Sequence, residues 1–338
     1  MGDRSGGQAF SLAPGKSSDI MPLPAEPLEK NLGRRRAGCA SPSDRKERIV
    51  STLVNFGGVA ARSAGQAADS QIVIVQAPYE GTVSYGGGAA KGPKAILEAS
   101  LQVETRDEET GVDLETLAFS LGPVVEGEGV LAEEYAQRVD DAVRPIVLDR
   151  KIPFVLGGEH SVTIGAVRAV RAILPDVHVL SIDAHGDLRN EYGGTKFSHA
   201  CVCRRLLEGG PVTIAGVRSY SAEEAEFAAQ AEGLTLISAH DVLSGKTSPK
   251  KIASSLGKRV YVTVDVDGLD PSVMPGTGTP EPGGLRWWDV LETLRRVMKK
   301  REIVGMDLVE LAPIPGNRVS DFAAARLAAK MITYASMK

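Results

Sequence analysis

The amino-acid sequence predicts an α/β protein with three layers, α/β/α, built on a central, mostly parallel sheet. Three observations carry this expectation. From about residue 49 onward, short apolar runs alternate with longer stretches of helical length. Crossovers of that length join parallel neighbours and lay helices on both faces of a sheet. Several of the apolar runs also stop abruptly in acids and histidines, as strands do where their carboxyl ends form the ligand-binding edge of an open sheet.

The elements follow in order. The first strand is expected at 71–76 (QIVIVQ), whose β-branched run suits a buried, pleated surface. A helix over 131–147 leads to a strand at 153–156, and a helix over 162–174 leads to one at 178–182. Strand 212–217 and helix 222–232 come next, then strand 261–264 and helix 287–299. Strand 303–309 and a helix over 321–331 close the pattern. No internal repeat breaks it, so residues 49–338 are expected to form one domain. A chain of 338 residues is long for a single domain but ordinary for this fold class, and 43% hydrophobic residues supply a large core.

Residues 1–48 read differently. They are rich in Gly, Ser and Pro, carry the cluster Arg34, Arg35, Arg36, and show no sustained apolar periodicity. Such a segment buries too little surface to offset its chain entropy, so a flexible N-terminal extension is expected. Asp3, Asp19, Glu26 and Glu29, with no apolar stretch between them, argue against a targeting peptide.

Composition excludes several classes of function. The net charge is −4 with both signs interspersed, which offers no field for nucleic acid or a membrane surface. No run of about 18 apolar residues is present to span a bilayer. Cys39, Cys201 and Cys203 are too few for a disulfide framework and read as reduced thiols, so a cytoplasmic location is expected. No G-x-G-x-x-G opens a helix after an early strand, which removes a dinucleotide-binding dehydrogenase.

The chemistry gathers at the strand ends. Gly157-Gly158-Glu159-His160-Ser161 follows one apolar run, and Asp183-Ala184-His185-Gly186-Asp187 follows another. A third ends in Asp265-Val266-Asp267-Gly268-Leu269-Asp270-Pro271, and the last in Asp307-Leu308-Val309-Glu310. Alone, each has a plain reading: an Asp-x-Asp after a strand caps a loop, and GGEHS is a turn with a helix cap. Together at one sheet edge they need another account, because clustered carboxylates are costly unless cations neutralise them. Asp183, His185 and Asp187 alternate, which in extended chain puts all three on one side, and Asp265 and Asp267 repeat the spacing. His160 and His185 with those four carboxylates form an oxygen-rich set that suits manganese better than structural zinc. Carboxylates also bridge paired ions about 3.5–4 Å apart. Asp270, before a proline, is expected to fix a turn, and His178 and His240 to be structural.

These segments resemble the signatures of the ureohydrolases, the superfamily of arginases and agmatinases. The resemblance runs from about Gln71 to Lys338 and includes Pro78-Tyr79-Glu80-Gly81-Thr82, Phe197-Ser198-His199, Pro275-Gly276-Thr277-Gly278-Thr279-Pro280 and Met306-Asp307-Leu308-Val309-Glu310. The GTGTPEPGG loop and the FSHACVCRR segment are more similar to agmatinases than to arginases, and no loop for a substrate α-carboxylate is recognisable after Asp187.

The resemblance implies an arginase-like fold and two Mn2+ per chain. One ion is implied at His160, Asp183, Asp187 and Asp265, the other at His185, Asp183, Asp265 and Asp267, with Asp183 and Asp265 bridging. His199 matches the histidine that acts as acid/base or touches substrate, and Glu310 the carboxylate that receives the guanidinium. Two departures stand out: Ala200 stands where glycine is usual, with a narrower pocket as the expectation, and Glu159 stands where Asp is common, beside a ligand. The implied reaction hydrolyses agmatine to urea and putrescine. Guanidinobutyrate, guanidinopropionate, aminopropylagmatine, arginine, guanidine and formiminoglutamate share the metal core and stay open as substrates. A non-catalytic binding protein on this fold is disfavoured by the complete ligand set. The family habit also implies a homo-oligomer, trimer or hexamer.

Overall fold

The computed structural model describes residues 56–59 and 70–337, all of them within the unit Lys46–Lys338. The expected extension, residues 1–48, lies outside the described residues. Along the chain, β1 (Ile72–Ala77) precedes α1 (Gly92–Ser100), β2 (Phe119–Val124), α2 (Ala132–Leu148) and β3 (Ile152–Gly157). Then come α3 (Val162–Ile173), β4 (Val177–Ile182), α4 (Val202–Leu207), β5 (Val212–Val217), α5 (Ala222–Gln230) and β6 (Leu234–Ser238). Short helices α6 (Ala239–Leu243) and α7 (Pro249–Ser255) lead to β7 (Arg259–Asp265), α8 (Trp287–Lys300), β8 (Glu302–Val309) and α9 (Val319–Ser336).

The strands form one eight-stranded sheet in the order β2-β1-β3-β8-β7-β4-β5-β6, and every ladder is parallel. Alternation along the strands splits the core in two. Ile72, Ile74, Phe154, Leu156, Leu180, Ile182, Val262 and Val264 face α1, α8 and α9. Val73, Val75, Val155, Val177, Val179, Val212 and Ile214 face α2 and α3. Truncating one such residue, Ile74→Ala for example, costs about 2–5 kcal/mol because its site is filled on both sides. The α2–α3 crossing is close: a Cβ at Gly165 would lie 2.1 Å from the Ala136 carbonyl oxygen. This is the expected three-layer architecture, and no helix among the described residues is long and apolar enough to cross a membrane.

All six expected strands are present. β2 and β6 were not expected, and they are the two edges of the sheet. Exposure removes the apolar continuity that marks the interior strands: β2 carries Gly122 and Pro123 and opens to solvent at its end, while β6 is only partly buried. Cys201 and Cys203 form no disulfide and are buried.

Candidate metal centre and active site

The four central strands of the sheet, β3, β8, β7 and β4, are neighbours, so their carboxyl ends open onto one place. His160 follows β3, Glu310 follows β8, Asp265 ends β7 with Asp267 beyond it, and Asp183, His185 and Asp187 follow β4. His160, Asp183, Asp187, Asp265 and Asp267 are buried there. Local packing forces the turn that presents His160. A Cβ at Gly158 would sit 2.0 Å from the Tyr79 carbonyl oxygen, so only glycine lets the chain after β3 pass beside the end of β1.

Three of the acids share a pattern: each gives one oxygen to a backbone N–H and aims the other inward. Asp183 Oδ1 accepts the His185 N–H at 2.7 Å, Asp265 Oδ1 accepts the Asp267 N–H at 2.9 Å, and Asp267 Oδ1 accepts the Ala184 N–H at 3.1 Å. Around His160 Nδ1 stand Asp183 Oδ2 at 3.2 Å, Asp187 Oδ2 at 3.1 Å and Asp265 Oδ2 at 3.3 Å. His185 Nδ1 lies 2.9 Å from Asp267 Oδ2 and 3.9 Å from Asp183 Oδ1. Two overlapping groups with metal-ligand spacing result, His160–Asp183–Asp265 and Asp183–His185–Asp267, with Asp183 common to both.

These donors fit divalent cations. His160 Nδ1 and Asp183 Oδ2 are buried polar atoms without a hydrogen-bond partner, which a folded protein rarely tolerates. His160 Nε2 lies 2.9 Å from Thr263 Oγ1, an arrangement that turns the Nδ1 lone pair toward the acids. Titration tells the same story. Burial, then the charge of Asp187, push Asp183 up to about 6, and burial with the charges of Asp267 and Asp183 raises Asp265 well above the usual carboxylate range. Burial opposes protonation of His185, but Asp267 and its neighbours override it and lift the ring to about 10. A cluster this short of positive charge is suited to binding it from outside.

The alternating reading of Asp183, His185 and Asp187 holds in outcome but not in geometry. β4 stops at Ile182, and Asp187 adopts a left-handed backbone with φ 51°. His185 forms a bridge with Ser219, and the chain curls so that all three still converge.

The cluster floors a cavity of about 370 Å³. His199 and Glu310 line it, so the structure brings all eight candidate residues together, with Asp183 buried beneath. Glu310 also has a left-handed backbone, φ 63°, and its Oε1 accepts the His160 N–H at 2.6 Å. Ala200 is in the wall, as are Arg189 and Tyr192 from the loop 188–195, where the sequence places substrate discrimination, and three residues not anticipated from sequence: Tyr85, Tyr220 and Glu224. Glu224 was legible in principle. Ser221-x-x-Glu224 is a capping-box pattern, and its carboxylate takes the Leu188 N–H at 3.0 Å, tying the loop after Asp187 to α5. Tyr85 and Tyr220 gave no signal, since only tertiary contact brings them to the mouth. Arg218 was also missed; it donates to the carbonyls of Asp267 and Glu281, each at 2.7 Å, and so clamps the loop carrying Asp267. Asp270 fixes its turn as expected, accepting the N–H groups of Ser272, Gly283 and Gly284.

An open parallel sheet with carboxylates and imidazoles gathered at its carboxyl edge defines a class, three-layer α/β/α proteins with a candidate metal centre at the strand ends. Comparison narrows it. The Arginase family model matches residues 70–334. N(1)-aminopropylagmatine ureohydrolase of a Synechocystis species is 38% identical over 275 residues, covering 79% of this chain and 90% of that protein. Agmatinase of Pyrococcus horikoshii is 36% identical over 272 residues, 79% of this chain and 91% of that protein. The crystal structure of agmatine ureohydrolase of Thermoplasma volcanium superposes with a TM-score of 0.76 at 34% identity, covering 86% of this chain and 97% of that one. The chain belongs to the arginase family.

Proposed function

We propose that this protein hydrolyses the terminal guanidinium of an agmatine-type polyamine, releasing urea and the matching amine, with two Mn2+ per chain. It is a hydrolase of carbon–nitrogen bonds in linear amidines, in keeping with its relatives. The observation that carries the reading is the common aim of His160 Nδ1 and Asp183 Oδ2, buried and without partners, at the floor of a cavity that His199 and Glu310 also line. His160, Asp183, Asp187 and Asp265 would hold one ion, and His185, Asp183, Asp265 and Asp267 the other. Bound there, paired cations would supply the acidification of a water at neutral pH.

The side chains do the rest. A guanidinium is a poor electrophile because its charge is delocalised, so the carbon must be held over the nucleophile. The Glu310 carboxylate meets the guanidinium N–H groups and fixes that carbon. Water oxygen adds to it, the bond to the alkyl nitrogen breaks, and that nitrogen leaves with a proton delivered by His199.

Agmatine is the substrate expected from sequence, and its N1-aminopropyl derivative is the form the mouth favours. Tyr85 and Tyr220 line the cavity, and aromatic faces attract the ammonium groups of a longer polyamine, while the Tyr192 ring already carries the Arg189 guanidinium 5.2 Å from its centroid. Arg189 is the observation that favours a distal carboxylate instead, as in guanidinobutyrate. Its Nε stands 4.0 Å from Glu224 Oε2, which offsets that charge. The test is urea release by manganese-loaded protein from aminopropylagmatine, agmatine, guanidinobutyrate and arginine. Higher kcat/KM for the two polyamines is expected. Fastest turnover of guanidinobutyrate would overturn the substrate class, and no urea from any of them would overturn the reaction.

A further inference from the structure

His199 is not held by the metal cluster but by a separate chain of polar groups. Thr82 Oγ1 donates to Glu159 Oε1 at 2.7 Å, and the Thr82 N–H donates to Glu159 Oε2 at 2.7 Å. The Ser161 hydroxyl donates to the same Glu159 Oε1 at 2.5 Å. Glu159 is fully buried and therefore receives all of these donors without competing water. On its other side, Thr82 Oγ1 accepts the His199 backbone N–H at 3.0 Å and stands 3.1 Å from His199 Nδ1.

Counting donors decides the tautomer. A threonine hydroxyl has one hydrogen and two lone pairs. That hydrogen goes to Glu159 Oε1, which stands 2.7 Å away and also accepts the Ser161 hydroxyl. Both lone pairs then face His199, one toward its backbone N–H and the other toward Nδ1. Nδ1 must therefore carry a proton, or two lone pairs would meet. The Ser198 hydroxyl, 3.4 Å from Nδ1, is too far to reverse this.

We propose that Glu159 is a positioning residue that acts through Thr82 to hold the His199 ring with a proton on Nδ1, leaving Nε2 bare toward the cavity. The inference rests on the reading of His199 as the proton carrier of a ureohydrolase. Nε2 then takes a proton released as water oxygen adds to the guanidinium carbon, and returns it to the departing alkyl nitrogen. With the opposite tautomer, Nε2 would present a hydrogen it could give but no lone pair to receive one. The glutamate at position 159 thus has a role in the proton path, beyond its place beside His160.

A one-atom change reverses the arrangement. In Glu159→Gln the amide oxygen stays with the Thr82 N–H, so the amide NH2 faces Thr82 Oγ1 and donates to it. The threonine hydrogen then swings to Nδ1, and the ring proton moves to Nε2. The full chain, labelled with 15N-histidine and loaded with diamagnetic zinc, reports this directly. Five histidines give few signals, and loss of one in His199→Asn assigns it. The parent is expected to show a protonated Nδ1 and a bare Nε2, and Glu159→Gln the reverse. In manganese-loaded protein, Glu159→Gln and Thr82→Val should keep their metal and KM but lose about 10- to 100-fold in kcat, a share of what general acid–base catalysis provides. Thr82→Ser, which keeps the hydroxyl, should recover most of that loss. A parent ring protonated at Nε2 overturns the proposal, as does a Thr82→Val protein with the parental tautomer and kcat. If no guanidino compound yields urea, the reaction assigned to the site fails while the tautomer measurement still decides the relay.

Discussion

Replacing Glu310 by glutamine separates charge from shape at the substrate end of the site. Glu310 Oε1 accepts the His160 N–H at 2.6 Å, and the Glu310 N–H reaches the Gly158 carbonyl at 2.8 Å. A glutamine oxygen accepts the same N–H, and the backbone bond is untouched, so the turn bearing His160 stays in place. Only the negative charge proposed to face the guanidinium is lost. Exchanging a charge-assisted bidentate pair for a neutral one costs on the order of 2–4 kcal/mol, or about 30- to 1,000-fold in kcat/KM. Stability should move the other way. Burial, then the charge of Glu159, lift the Glu310 carboxyl from 4.5 to about 8. Between those values the folded chain keeps a proton that the unfolded chain releases, so stability falls as pH rises through this window and stays lower above it. Glutamine carries no such cost. Metal-stripped Glu310→Gln should therefore melt above the parent at alkaline pH and lose that advantage in acid. Elemental analysis, steady-state kinetics with both polyamines and thermal melts of stripped protein make the test. Parental kinetics in the variant would refute the guanidinium role, and loss of one ion would make Glu310 a metal ligand instead.

Three further outcomes are expected. Asp183→Asn should lose both ions, because Asp183 belongs to both ligand groups; two tightly held ions in that variant, measured by elemental analysis, would reject the shared position. Arg218→Met should lower unfolding free energy by about 2–4 kcal/mol, since buried carbonyls lose their donor, and should weaken metal retention by freeing the Asp267 loop; parental denaturation and metal retention would contradict this. Burial, then the charges of Arg171 and Arg301, hold His178 down at about 4, with its Nδ1 accepting the Gly257 N–H and its Nε2 beside Thr213. Its stabilisation is complete above the unfolded value near 6.5 and is lost as pH falls toward 4. The parent should thus lose about 1–2 kcal/mol more than His178→Gln between roughly pH 7.5 and 5 by urea denaturation, and identical pH dependence would dismiss the role.

The legible part of the fold was its interior. β1, β3, β4, β5, β7 and β8 are covered on both faces, and a doubly covered parallel strand is apolar at most positions, which a sequence displays as a near-continuous run. β2 and β6 each lie at an edge, with one neighbour and partial exposure, so their runs are diluted by Gly122, Pro123 and Thr235. The same contrast governs the site. Residues that follow an interior strand directly, such as His160, Asp183 and Asp265, are placed by the strand itself. Thr82, Tyr192, Arg218 and Tyr220 reach the cavity or its supports only through loops whose course depends on tertiary packing.

Two of the site's acids show where strand-end reasoning stops. Asp187 and Glu310 both have left-handed backbones, a conformation that costs an L-residue roughly 1–2 kcal/mol. Nothing in their spacing announces it; an extended chain through Asp183, His185 and Asp187 also puts the acids on one side. The conformation persists because neighbours over-determine it. The Asp187 carbonyl accepts the Arg204 N–H at 3.1 Å, and Glu310 is tied at both its backbone N–H and its carboxylate to the turn around Gly158 and His160. Each bend redirects a side chain from the strand axis into the cavity, Asp187 onto His160 Nδ1 and Glu310 onto the space above it. Such strain gathers at functional positions, and here it falls on two of the acids that line the cavity. A strand delivers its last residues to the sheet edge. At Asp187 and Glu310 a left-handed step turns the carboxylate inward from there, and the hydrogen bonds that hold that step come from other segments of the chain.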